Sequence, residues 1–70
     1  METEIILNES TLSASIVLFS KDTIDLTYII NEAQRLANAI GLQSLTMNNI
    51  KVRSLGDSYN HLKITIIKPL

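Results

Sequence analysis

The sequence predicts an α+β fold, in which four strands and one helix follow the order β-β-α-β-β and the helix packs on one face of an antiparallel or mixed sheet. One stretch, Asp22–Gly41, repeats its apolar residues at helical spacing. On each side of it, two segments alternate or concentrate apolar residues as strands do. The chain has 70 residues, so we expect residues 1–70 to form a single small domain.

The predicted helix carries an apolar stripe with steps of three and four residues. The stripe consists of Leu26, Ile30, Ala33, Ala37 and Ile40, and Ile29 and Leu36 widen it. Asp22 is placed to cap the first turn, and Gly41 suits the left-handed conformation that follows a helix. We therefore expect residues 22–40 to form one amphipathic helix.

Turn-forming residues set the bounds of four strand candidates: Glu4–Asn8, Ser13–Ser20, Ile50–Leu55 and Leu62–Lys68. The Ile16–Phe19 run is apolar at both parities, which indicates a central strand. In Leu42–Asn49, Leu45 and Met47 alternate as in a strand, but an Asn-Asn pair then shifts the phase. A bulge in one long strand and a turn between two short strands both explain the shift, and we favour the bulge.

The strand–helix–strand–strand order from Ala14 to Leu70 is similar to that of the dodecins, small proteins that assemble into rings. Dodecins stack flavin against tryptophan. The chain has no tryptophan, so the resemblance extends to topology and implies no flavin site. We predict no cofactor.

The residue inventory disfavours catalysis and metal binding. The chain has no cysteine, one histidine (His61) and two glycines, which excludes thiolate metal sites, histidine-rich metal sites within one chain and a glycine-rich phosphate loop. Asp22 and Asp25 lie three residues apart, but capping of a helix start explains that pair better than acid–base chemistry. We predict a protein that is not an enzyme and has no catalytic or metal-binding residues.

The expected setting is the cytoplasm. No apolar run approaches the length of a membrane span, and the acidic start METEIILNES lacks the basic region of a signal peptide. A domain of this size buries only about 60% of its unfolded surface, and small folds are often reinforced by oligomerisation. We therefore expect a homodimer or a higher homo-oligomer.

The net charge of −1 hides an asymmetry, because residues 1–35 carry −4 and residues 36–70 carry +3. In the last hairpin, Ile50 and Val52 must share the core face with the apolar residues of the final strand. Lys51, Arg53, His61 and Lys63 then share the other face, and one register sets Lys51 opposite Lys63 and Arg53 opposite His61. We predict these four residues as a partner-binding surface.

A second predicted surface is apolar. The face away from the helix receives Ile67, half of the Ile16–Phe19 run, and either Ile6 or the pair Ile5 and Leu7. A patch of this kind is rarely left bare in a monomer. We predict self-association through Val17, Phe19 and Ile67.

These observations favour a small protein-binding module of the regulator, adaptor or inhibitor type. It would act as a homo-oligomer, and its partner would present an acidic protein surface. The alternative is a nucleic-acid-binding protein that uses the basic sheet face, although stacking aromatics are missing from those two strands. A second alternative is an accessory subunit that binds a small ligand.

Overall fold

The computed structural model describes residues 3–70 and has the predicted α+β architecture. Five elements follow the order β-β-α-β-β. They are β1 (Thr3–Leu7), β2 (Thr11–Phe19), α1 (Leu26–Ala39), β3 (Ile50–Ser54) and β4 (His61–Pro69). The four strand predictions are confirmed to within two residues at each end. With 14 residues, the helix found in residues 3–70 is too short to span a membrane.

The strands form one open antiparallel sheet in the order β1-β2-β4-β3. The two predicted hairpins, β1–β2 and β3–β4, are both present, and the pairing of β2 with β4 joins them. Because β4 runs antiparallel to both neighbours, β2 and β3 are parallel to each other with β4 between them. The segment β2-α1-β3 is thus a split βαβ unit, and the two longest strands lie at the centre of the sheet.

The core lies between the helix and the two central strands. Alternate residues of β2 and β4 face the helix and are buried: Ala14, Ile16, Leu18, Leu62, Ile64 and Ile66. From the helix side, Ala33, Leu36, Ala37 and Ile40 complete the cluster, and Ile24 joins it from the connection before the helix. The two alanines on the buried helix face allow the helix to approach the sheet closely.

The helix prediction is wrong at its start and in the direction of its stripe. The helix begins at Leu26, with Asp25 and not Asp22 at the N-cap position, and Asp25 makes no capping hydrogen bond through its side chain. Leu26 is 67% exposed and Ile30 is 48% exposed, whereas Leu36 is fully buried. The stripe that packs on the sheet is therefore centred on Ala33, Leu36 and Ala37, and Leu26 and Ile30 lie on its flank.

The prediction for the helix end is confirmed. Gly41 has a φ of +73°, and its N–H donates to the carbonyl of Asn38 at 3.2 Å. The Leu42 N–H donates to the carbonyl of Ala37 at 2.9 Å, which completes a Schellman motif. Leu42 is half-buried and packs against the core cluster, as this motif often requires of the residue after the glycine.

The preference for a bulged strand over Leu42–Asn49 is wrong, because this segment is a loop that ends in a turn. The Asn49 side-chain oxygen accepts hydrogen bonds from the Thr46 N–H at 3.2 Å and the Thr46 hydroxyl at 2.6 Å. The Asn49 amide nitrogen donates to the Ile67 carbonyl at 3.0 Å. Asn49 therefore closes the turn and fixes the start of β3 beside β4, so the phase shift marks a loop boundary.

The loop between β3 and β4 is tied to the connection between β2 and the helix. The Ser20 N–H donates to the Asn60 carbonyl at 2.9 Å, and the Ile24 N–H donates to the Tyr59 carbonyl at 3.1 Å. Tyr59 has a φ of +53°, a conformation that is uncommon outside glycine. At the other end of β4, Pro69 is the last residue of the strand and pairs with Thr11, so the strand includes the proline.

We expect Leu36→Ala to lower the free energy of unfolding by about 2–5 kcal/mol, because it opens a cavity at a fully buried position. Ile30→Ala is the matched control, since it truncates a half-exposed residue of the same helix and should cost less than about 1 kcal/mol. Urea unfolding at one fixed protein concentration measures both. Equal losses for the two variants would contradict the helix orientation described above.

Candidate functional site

The sheet face opposite the helix has no covering element in residues 3–70, and we call it the open face. Since side chains alternate along a strand, the residues that face away from the core share this face. Strand pairing sets these residues in rows across the sheet. Three rows include an outer strand, namely Val17–Lys63–Arg53, Glu4–Ser15–Thr65–Lys51 and Ile6–Ser13–Ile67, and Phe19 and His61 form a shorter row on the central strands.

The predicted basic residues come together on the open face. Arg53 pairs directly with Lys63, and Lys51 pairs with Thr65. The register is thus shifted by two residues from the one that sets Lys51 opposite Lys63 and Arg53 opposite His61. His61 precedes Lys63 by two residues in β4, so it lies on the same face, and it pairs with Phe19.

The cations of the open face have no ion-pair partner among residues 3–70. Within that range the structure contains one ion pair, between Arg35 and Glu32 on the helix at 2.8 Å. Arg53 and Lys63 are like charges directly opposite each other, an arrangement that destabilises a strand pair. The open face therefore concentrates positive charge on β3 and β4 that forms no ion pair within residues 3–70.

The predicted self-association residues lie on the same face as the cations. Val17, Phe19 and Ile67 lie at the alternate strand positions that face away from the helix. The other two residues of the apolar run in β2, Ile16 and Leu18, are buried in the core. Ile6 joins them, so the choice between Ile6 and the pair Ile5 and Leu7 is settled for Ile6. The sequence predicts both the basic and the apolar residues on the face away from the helix, and the strand pairing shows which of them are neighbours.

Phe19 and His61 form an aromatic pair at one end of the open face. Their ring centroids are 5.3 Å apart with an interplanar angle of 76°, which is an edge-to-face contact. The Phe19 side chain is 72% exposed, so most of the ring remains accessible. The sequence could not assign this contact, because the cross-strand pairing of β2 with β4 joins segments 42 residues apart.

A shallow depression of about 550 Å³ lies towards the β1 side of the open face. Thr3, Glu4, Ser15, Val17 and Lys63 are among its lining residues. Ser15 is the one buried polar residue in the described part of the chain, since its small side chain lies between those of Glu4 and Thr65. The sequence alone does not indicate that Ser15 and Glu4 line this depression, because the pairing of β1 with β2 brings them together.

Within residues 3–70 no group of three or more His, Asp or Glu residues is arranged to hold a metal ion. Comparisons of the chain with family models, with curated proteins and with solved structures find no match. The function proposed below is therefore inferred from the residues of the open face.

We expect Arg53→Glu to raise the free energy of unfolding by about 0.2–1 kcal/mol, because it replaces a like-charge pair with an opposite-charge pair across the strands. The gain should shrink at high salt, where surface charges are screened. Lys21→Glu changes the net charge equally but lies outside the strands, so it is the control. If both variants gain the same stability at one protein concentration, the Arg53–Lys63 pair has no specific effect.

Proposed function

We propose that this chain is a non-enzymatic protein-binding module that docks an acidic surface of a partner protein on its open face. The observation that carries the proposal is the position of Lys51, Arg53 and Lys63. These cations lie beside exposed apolar side chains on the sheet face that the helix leaves uncovered, and none has an ion-pair partner in residues 3–70.

The electrostatic argument begins with the Arg53–Lys63 pair. Two like charges across a strand pair cost stability in the free domain. Carboxylates of a bound partner would remove that cost and would accept charge-assisted hydrogen bonds from the guanidinium and ammonium groups. The net charge of the chain is −1, so the attraction comes from the local arrangement of charge.

The apolar residues of the open face support binding to a protein surface. Val17, Phe19 and Ile6 are exposed and Ile67 is half-buried, so a partner could remove apolar area from water between the cations. The four strands lie about 4.8 Å apart, and β2 and β4 have nine residues whereas β1 and β3 have five, so the flat area of the open face is roughly 450 Å². That is a little over half of the roughly 800 Å² that each protein contributes to a standard interface, which corresponds to the low end of the range of interface sizes.

One observation favours the alternative, a nucleic-acid-binding function. Phe19 is exposed beside His61, and an aromatic ring next to cations can stack a base of a single strand. Against this alternative, the sequence has a pI of about 5.6, whereas nucleic-acid-binding domains have strongly basic surfaces. An acidic protein surface is therefore the better-supported partner.

The proposal includes a homo-oligomer, but not one formed by stacking two open faces on each other. Stacking two open faces on each other would bring the three cations of each copy together, which opposes a dimer built on Val17, Phe19 and Ile67. We therefore assign these apolar residues to the docking of the acidic partner.

We expect the triple variant Lys51→Glu, Arg53→Glu and Lys63→Glu to lose binding to a peptide that combines Asp and Glu with Leu. The wild-type amides that shift on titration should be those of the open face, observed by NMR, and the affinity should fall with salt. The matched control is Lys21→Glu, Arg35→Glu and Lys68→Glu, which changes the net charge equally with cations outside that face.

The control triple variant should lose much less affinity than the open-face variant. Equal losses in the two variants would contradict docking on the open face. A single-stranded oligonucleotide of equal charge is the second probe. Tighter binding of the oligonucleotide, with a salt slope that falls by about one for each cation removed, would replace the proposal with nucleic-acid binding.

A further inference from the structure

The two outer strands of the sheet, β1 and β3, each leave one side of their backbone unpaired in the described structure. The hydrogen bonds at the strand ends show which residues point outward. The Asn8 N–H donates to the Thr11 carbonyl, so in β1 Glu4 and Ile6 bond to β2. The backbone N–H and C=O groups of Thr3, Ile5 and Leu7 therefore point to the free edge.

The β3 edge is protected by charge. By the same alternation, the Leu55 N–H donates to the His61 carbonyl, so Ile50, Val52 and Ser54 point to the free edge. If two β3 strands paired antiparallel around Val52, Lys51 of one copy would lie opposite Arg53 of the other. Cations on an edge strand are a known means of preventing such pairing.

The β1 edge lacks this protection. Ile5 is 54% exposed and Leu7 is 70% exposed on the helix side of the sheet, because the helix lies over the central strands and leaves the outer strand uncovered. Ile6 is also exposed, on the open face. The one charge in the strand is Glu4, so β1 presents an apolar strand with unpaired backbone groups.

We infer that β1 pairs antiparallel with β1 of a second copy of this chain, with Ile5 opposite Ile5. This register sets Thr3 opposite Leu7 and Glu4 opposite Ile6, so no like charges face each other. The outward backbone groups of Thr3, Ile5 and Leu7 are then paired in both copies. The product is a two-fold dimer with one continuous eight-stranded sheet.

The strand that pairs with the free edge of β1 belongs to a second copy of the chain, because β1 is complementary to itself in this register. Its outward groups are symmetric about Ile5, and the Ile5 and Leu7 side chains of the two copies adjoin on the helix side. The two-fold axis is normal to the sheet, so both open faces lie on the same side and stay free. The inference therefore does not depend on what binds the open face, and either proposal can fail alone.

The first test is amide hydrogen exchange on the wild-type chain at several protein concentrations. We expect the N–H groups of Ile5 and Leu7 to become protected as the mass measured by light scattering rises from 7.8 kDa towards twice that value. The Val52 N–H on the β3 edge should stay fast at every concentration. A mass that stays at 7.8 kDa, or a dimer in which the Ile5 N–H exchanges as fast as the Val52 N–H, would overturn the inference.

The second test uses charge complementation at the centre of the interface. Ile5→Lys and Ile5→Glu should each raise the dimer dissociation constant about tenfold or more, because each sets two like charges opposite each other. An equimolar mixture of the two variants should restore a mixed dimer, detected by native mass spectrometry. Ile6→Lys is the control on the open face: in the proposed register it sets a lysine opposite Glu4 of the other copy, so it should not raise the dissociation constant.

A dimer that tolerates Ile5→Lys but is disrupted by Ile6→Lys would overturn the inference and indicate self-association through the open face. Failure of the mixed variants to pair would also overturn it, provided that circular dichroism shows both variants to be folded. The exchange measurement uses the wild-type chain, so it decides the question even if a variant does not fold.

Discussion

One helix covers one face of the sheet, and the other features of the molecule depend on this one-sided packing. The helix buries the alternate residues of β2 and β4 against Ala33, Leu36 and Ala37. Because side chains alternate along a strand, every residue that the core takes from β2 or β4 fixes its neighbours on the opposite face. The uncovered side therefore receives the cations of β3 and β4 together with Val17, Phe19 and Ile67.

The sequence predicted the elements well, because each carries a local signal. Alternation marks Ile50–Ser54, and Gly41 marks the end of the helix. The sequence could not show which side of the helix faces the sheet, because the apolar arc from Leu26 to Ile40 is wider than the contact with the sheet. The buried part was decided by how the helix packs over the central strands, which is a tertiary property.

The parity of the Ile16–Phe19 run could not be derived from the run itself, because all four residues are apolar. The register between β2 and β4 decides it, and that register joins residues far apart in the chain. For the same reason the sequence could not show that Val17 and Lys63 are direct cross-strand partners. The shared face of Lys51, Arg53 and Lys63 was predictable, since local alternation within one hairpin fixes it.

The loop at residues 42–49 misled the prediction because Leu45 and Met47 imitate strand alternation. Asn49 resolves the ambiguity through a side chain that bonds both to Thr46 and to the backbone of β4. Such a side chain offers the backbone an alternative to the strand ladder.

One-sided packing of the helix means that β2 and β4 are buried on one face of the sheet and accessible on the other. A soluble paramagnetic probe tests it most directly, through the relaxation of methyl groups in NMR spectra of the dilute protein. We expect strong relaxation for Val17 and Ile6 and weak relaxation for Ile16 and Ile64, which face the helix. Equal protection of the Val17 and Ile16 methyl groups would contradict one-sided packing.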